Sequence, residues 1–198
     1  MRIALLITCS LFGLAAIFAM SPSYAATVST AQELSFCGYS GVMQLPDGAS
    51  LKIRLALSDA DKKQGLSGIR KEDFAEDEAL LIVNFNNDQR SINMGDTWFD
   101  IDVLFLDNDL VVVGLQRNLK AHPGRAEPPP IENSAWVFAR HTMEMRSGSR
   151  YARRIEQGMR LQWRSQPTVK EIEQCMAEVW NREHGRGGLG NSGRSGFK

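Results

Sequence analysis

Three scarcities narrow the field before any motif is read. The first is a charge excess of either sign. The 198 residues carry 23 Lys and Arg against 23 Asp and Glu. A groove that tracks phosphates needs a clustered basic surplus, so a nucleic-acid partner is not expected. The second is cysteine, with three in the chain. Cys9 falls inside an N-terminal apolar run, and Cys37 and Cys175 stand near opposite ends, without CxxC spacing or a neighbouring histidine. That disfavours a redox or metal pair. The third is histidine: outside the C-terminal tail only His122 and His141 occur. No Gly-x-Ser-x-Gly nucleophile motif and no phosphate-binding loop is present. Neither a metal nor a cofactor is expected.

What is present describes an exported globule. Arg2 precedes an apolar run, Ile3–Met20, broken only by Thr8, Ser10 and Gly13. Ser21-Pro22 then interrupts it, and Ser23-Tyr24-Ala25 supplies a small-residue cleavage site. This is the layout of a signal peptide over residues 1–25, with an uncleaved anchor as the rival reading. The mature protein is expected in the periplasm or secreted, without stable membrane insertion. In that oxidising space Cys37 and Cys175 are expected to pair as a disulfide staple. The remaining length suits one domain with a real core, and an apolar content of 43% is ordinary for a folded chain.

Residues 26–50 read as a lead-in and first strand. Val42–Leu45 and Ser50–Leu57 flank the turn signal Pro46-Asp47-Gly48. Leu51, Ile53, Leu55 and Leu57 alternate with Lys52, Arg54 and Ala56, which predicts one buried and one wet face. Ser58 is a helix N-cap with Asp59 and Asp61 in the first turn, and Gly65 ends that helix. Ala79–Phe85 reads as an apolar strand and Asn84–Arg90 as a loop. Leu115–Ile131, with His122-Pro123-Gly124 and Pro128-Pro129-Pro130, reads as a surface excursion. Strand character returns over Ala135–Met145 and Met159–Trp163, with a basic helical turn over Ser149–Glu156 between them. Pro167–Gly185 is the clearest helix: Thr168 and Glu171 make a capping box, and Ile172, Cys175, Met176 and Val179 form an apolar stripe. The Gly- and Arg-rich residues 185–198 are expected to be a disordered tail.

The stretch around which the rest is arranged is Ser91–Gly114. A polar knot, Asn93 to Thr97, leads into Trp98–Leu106 and Leu110–Gly114, two β-rich runs joined at Asp107–Asp109. Asp100 and Asp102 fall on one face of such a strand, so two carboxylates could converge there, with Asp96 close by. The plainer alternative places them on the solvent face of an edge strand. Asp107-Asn108-Asp109 lacks the Gly and Glu of a calcium loop and reads as a turn. His122 reads as a loop histidine, and His141 and Glu144 would leave opposite faces of one strand. Met94 and Trp98 are core or pocket wall. Arg150, Arg153 and Arg154 are a local basic patch.

From Leu51 to Trp163 the order of motifs resembles the DUF192 family, small domains with no established activity. The resemblance is carried by Gln64-Gly65-Leu66-Ser67, Ala79-Leu80-Leu81-Ile82, Ile92-Asn93-Met94-Gly95-Asp96-Thr97 and Ile101-Asp102-Val103-Leu104-Phe105-Leu106-Asp107. Looser matches are His141-Thr142-Met143-Glu144 and Ile155-Glu156-Gln157-Gly158. Met94, Thr97, Asp102 and Glu144 stand where the family has the same residue type. Asn93 and Gly95 replace its Trp and Lys, and Asp96 replaces an Asn. The resemblance implies a mostly β (α+β) fold: a small, curved, β-barrel-like sheet over 51–165 with one or two short helices, here followed by a C-terminal helix over 166–184.

Together these readings favour a non-catalytic ligand-binding or accessory module of the cell envelope, with Asn93, Met94, Asp96, Thr97, Asp102 and Glu144 as candidate ligand-binding residues. Its partner would be a small molecule or an envelope protein. Two alternatives stand beside it: a hydrolase-like or metal-assisted enzyme using Asp96 and Asp102, and a structural partner of an envelope assembly docked through the C-terminal helix.

Overall fold

The structure, a computed structural model, describes residues 41–164 and 169–185. The leader, Cys37, Thr168 and the tail from residue 186 onward lie outside the described residues.

Strand β1 (Gly41–Gln44) and β2 (Ser50–Ala56) form a hairpin. Its turn is held by the Asp47 carboxylate, which accepts from the Ala49 amide at 3.0 Å. Ser58 caps α1 (Asp59–Gln64) by accepting from the Asp61 amide, while the Asp61 carboxylate accepts from the Ser58 amide. Helix α1 and a 3-10 turn at Lys71–Asp73 carry the chain to β3 (Glu78–Ile82), which pairs parallel to β2. All other ladders between strands are antiparallel. They involve β4 (Asp88–Arg90), β5 (Ile101–Leu106), β6 (Val112–Leu119), β7 (Val137–Ala139), β8 (His141–Arg146) and β9 (Gln162–Trp163). The main sheet has the order β6-β5-β8-β3-β2-β1-β9, and β4 and β7 form a separate ribbon. Helix α2 (Val169–His184) follows.

The sheet is an open, curved half-barrel, which corrects the expectation of a barrel. Its edge strands β6 and β9 are not paired with each other. The two ends meet only near the start of β6, where Val111 and Arg160 form an isolated bridge. Closure would need a continuous ladder between the edges, and β9 is only two residues long.

Both faces of the sheet are covered. On one, Met43, Leu51, Ile53, Leu55, Leu81, Leu104, Met143 and Met145 pack beneath Ile172, Cys175, Met176 and Val179 of α2. On the other, Leu80, Ile82, Ile101, Val103 and Phe105 pack beneath Leu66, Ile69, Phe74 and Met94. Two-sided burial explains why β3 is apolar from Ala79 to Ile82 and β5 is apolar except at Asp102, rather than alternating. The stripe on the C-terminal helix is thus core. The expected Cys37–Cys175 staple falls on Cys37, which lies outside the described residues; Cys175 itself is buried beneath the sheet and disulfide-bonded.

Candidate functional site

A β-bulge organises the region where sheet and loops meet. Along β5, Ile101 faces Leu119 and Val103 faces Gln116, so Arg117 and Asn118 together oppose Asp102. The extra residue leaves a backbone N–H without a ladder partner, and Asn118 takes a left-handed φ of 59°. Asp102 answers this: Oδ1 accepts from the Asn118 amide at 2.8 Å and Oδ2 from Arg117 Nη1 at 2.9 Å. Arg117 in turn donates to the carbonyls of Ala152 and Ile155, tying the 152–155 turn to the sheet. Asp102 is 1% exposed on β5, an interior strand between β6 and β8. The solvent-face, edge-strand alternative is therefore corrected.

The bulge puts Asn118 on the wall of an open cleft of about 480 Å³. The other walls are Lys71 and Glu76 ahead of β3, Trp98, Phe99 and Asp100 ahead of β5, Ala121 after β6, and Arg146, Ser147 and Gly148 at the end of β8. Asp100 is fully engaged: Oδ1 accepts from the Ala121 amide and Oδ2 from Lys120 Nζ, both at 2.9 Å. Partial burial pushes its pKa up, but these two donors outweigh that and hold it below the ordinary carboxylate value. Asn118 Oδ1 accepts from Lys120 Nζ at 3.1 Å and from Ser147 Oγ at 3.5 Å.

The polar knot aims one wall of this cleft. Asp96 sits at a φ of 63°. Its Oδ1 accepts from Trp98 Nε1 at 2.9 Å and from the Gly124 amide at 3.2 Å, while its carbonyl accepts from the Gly68 amide. Arg70 lies over the Trp98 ring, 3.2 Å from its centroid. His122 fastens the following loop. Its amide donates to Thr97, and its two ring nitrogens face the carbonyls of Gly124 at 3.2 Å and Pro129 at 2.9 Å. Two acceptors favour a ring with two N–H groups, so the Pro129 and Gly124 carbonyls raise the His122 pKa.

None of the six candidate ligand-binding residues borders the cleft. Asn93 is exposed and donates to Asn133 Oδ1. Met94 is core, and Thr97 is 3% exposed. Asp96 is the brace just described, and Asp102 fills the bulge. Glu144, on β8, is buried among apolar side chains and accepts only from the Leu66 amide, at 3.1 Å. Burial pushes its pKa up to about 7 despite that bond. Trp98 and Asp100, both singled out in the sequence, do reach the cleft. Lys71, Glu76, Asn118, Arg146 and Ser147 carry no sequence signal: they come from three segments that only the folded sheet brings together. Among the described residues no set of three or more His, Cys, Asp or Glu side chains converges as a metal site. Among the same residues no helix is long and apolar enough to cross a membrane.

The DUF192 model, described as an uncharacterized ACR, matches residues 42–163. No curated protein matches the chain. Among solved structures, a proposed transcription regulator from Sinorhizobium meliloti 1021 is 21% identical with a TM-score of 0.49, over 63% of this chain and 92% of that one. A protein of unknown function from Novosphingobium aromaticivorans DSM 12444 is 18% identical with a TM-score of 0.49, over 63% of this chain and 84% of that one. The family model spans the whole sheet from β1 to β9, and the chain belongs to the DUF192 family.

Proposed function

We propose that the protein is an exported, non-catalytic binding module of the cell envelope that holds a small polar ligand in the cleft beside Trp98. The observation that carries this reading is the cleft itself: about 480 Å³, open, and lined by an aromatic ring, an amide, a hydroxyl and charges of both signs. That mixture of one flat apolar surface and a few convergent polar groups suits binding. The hydrolase-like alternative built on Asp96 and Asp102 would need those carboxylates to meet. Asp96, Asp102 and Glu144 are instead held by separate backbone amides and face different surroundings.

A thermal-shift screen of the mature protein tests this, with sugars, amino acids, organic acids and nucleotides as probes. A ligand at about 100 times its Kd adds ~2.7 kcal/mol, a shift of roughly 5–10 °C in a domain of this size. The expected result is a shift that Trp98→Ala and Asn118→Ala each reduce. A shift of the same size in both variants would place the ligand elsewhere and remove the cleft reading. Export is tested separately by the N-terminus of protein expressed in a Gram-negative host, expected at Ala26.

A second reading, an envelope-assembly partner, is supported by an exposed apolar groove along α2. There Phe85 and Trp180 meet edge to face with ring centroids 6.3 Å apart, 43% and 47% exposed. Replacing both by Ala should abolish a co-purifying partner if α2 docks. An unchanged complex would dismiss that reading.

A further inference from the structure

We infer that the ligand of the cleft carries an anionic group, a carboxylate or a phosphate, seated between Lys71 and Arg146; this rests on the cleft being the binding site. The argument is one of uncompensated charge. Most cations that touch this sheet already have a carboxylate: Lys52 has Asp77, Arg54 has Glu78, Arg117 has Asp102 and Lys120 has Asp100. Lys71 and Arg146 form no ion pair among the described residues, yet both line the same cleft. Arg146 is half-buried and makes one side-chain hydrogen bond, to the neutral carbonyl of Phe74 at 3.3 Å. Most of the guanidinium's five donors are left for another acceptor.

The carboxylates in the cleft do not cancel this. Asp100 has both oxygens occupied, one by a backbone amide and one by Lys120, and Lys71 acts on it only through space. Glu76, exposed on the same wall segment as Lys71, forms no ion pair among the described residues and offsets one of the two cations, so Lys71 and Arg146 together still leave a net positive charge on the cleft. The local balance therefore leaves a planar, fork-shaped donor and a mobile ammonium facing one open volume, and this pair is suited to a carboxylate or phosphate. Trp98 and Phe99 supply an apolar floor, and Asn118 and Ser147 supply an amide and a hydroxyl for the uncharged part of the ligand. The charge, the floor and the hydrogen-bonding groups together describe a small organic anion with a polar body, rather than a free inorganic ion or a neutral sugar.

The experiment is an amide and indole NMR titration of the full mature chain. The probes are glucose 6-phosphate, glucuronate, neutral glucose and inorganic phosphate, each at two salt concentrations. Glucose 6-phosphate or glucuronate is expected to move the Trp98 indole and the Ser147 and Gly148 amides. Lys71→Gln, on an exposed turn, and Arg146→Gln are each expected to weaken that binding about tenfold, the typical cost of one charge-assisted contact. Inorganic phosphate binding equally well would show a bare ion site and overturn the organic body. Glucose binding with the same affinity, indifferent to both substitutions, would overturn the anion while keeping the cleft. Shifts scattered over surface cations and erased by salt would mark non-specific attraction and overturn the inference. If no probe moves any cleft resonance while the thermal screen finds a cleft ligand of another class, the anion inference alone falls. Silence in both removes the cleft as well.

Discussion

Asp102 and Glu144 stand on neighbouring strands one residue out of register, and their side chains leave opposite faces of the sheet. Asp102 faces Met145 across the ladder, on the side covered by α2, whereas Glu144 faces Val103, on the side covered by Leu66 and Met94. Directly paired residues share a face, so a one-residue offset separates the two acids by the thickness of the sheet. They cannot act on one substrate. Each is a buried acid with its own structural task, and the two tasks predict different behaviour.

Asp102 stabilises the bulge, so Asp102→Ala should be costly. It leaves the Asn118 amide unpaired and strips Arg117 of its counter-ion. Because Arg117 is itself 38% exposed, the loss is expected near the lower end for a buried pair, about 2–3 kcal/mol. Urea unfolding at neutral pH measures it. Asp102→Asn retains an acceptor for Asn118 and should cost clearly less. Equal losses in the two variants would mean that the backbone cap contributes nothing.

Glu144 should make the fold less stable as pH rises. Its carboxyl is buried, and its pKa moves from 4.5 in the unfolded chain to about 7 in the fold. Between those values the folded state holds a proton that the unfolded state has lost. The stabilising contribution is therefore full below about pH 4.5 and is lost through about pH 7, with about 3 kcal/mol at stake. Glu144→Gln keeps an acceptor for Leu66 and carries no charge. It should leave stability near pH 4 little changed and raise it at pH 8. A variant less stable than the parent at pH 8 would show that Glu144 is ionised and well compensated.

His141 runs the other way. Burial, with Arg140 and Arg90 nearby, lowers its pKa to about 4, against a weaker opposing pull from Asp107. Its Nδ1 accepts from the Asn84 amide at 3.2 Å, which requires the neutral ring. The unfolded chain binds this proton first as pH falls, so stability from His141 is present above about pH 6.5 and lost toward pH 4, again about 3 kcal/mol. Over the shared interval the two slopes nearly cancel. The parent should therefore show a flat stability profile there, Glu144→Gln a rising one, and His141→Asn, which keeps an acceptor for Asn84, a falling one. Denaturant midpoints at half-unit pH steps read all three. A parallel set of profiles would remove the coupling argument.

How much of this was legible in the sequence depended on how local its cause was. The Ser58 cap and the alternation of Leu51, Ile53 and Leu55 are set within a few residues, and α1 and β2 follow them. The C-terminal stripe was legible because four apolar positions recur at helical spacing. Strand β6 was not. The run was expected to end at Gly114, yet it continues to Leu119, because the bulge at Arg117 and Asn118 breaks the alternation that would have marked it. Strand β4 was hidden for a related reason: its three polar residues sit in a stretch that reads as a loop, and they become a strand only by pairing with β7 in the separate ribbon. The cleft depends on all of these long-range pairings, and no single segment announces it. The polar knot is legible as a polar cluster but its task is not, since a left-handed Asp96 bracing Trp98 has the same composition as a binding loop.

That ribbon depends on a close approach at Gly114. A Cβ there would lie 2.8 Å from Val137 Cγ1 and 3.4 Å from Phe105 Cδ2. Glycine at this position lets β7 settle against β6, so its value is space rather than backbone freedom. Gly114→Ala must displace Val137, and overpacking of this kind costs about 1–3 kcal/mol. The paired substitution Gly114→Ala/Val137→Ala returns the space. Neighbours that share one contact couple by about 0.5–3 kcal/mol, so the double variant should be more stable than the sum of the single losses predicts. Chemical denaturation of the four proteins closes the cycle. Additive losses would mean that the ribbon yields freely and that Gly114 is kept for another reason. A favourable coupling would fix β7 on the sheet through one side chain, Val137.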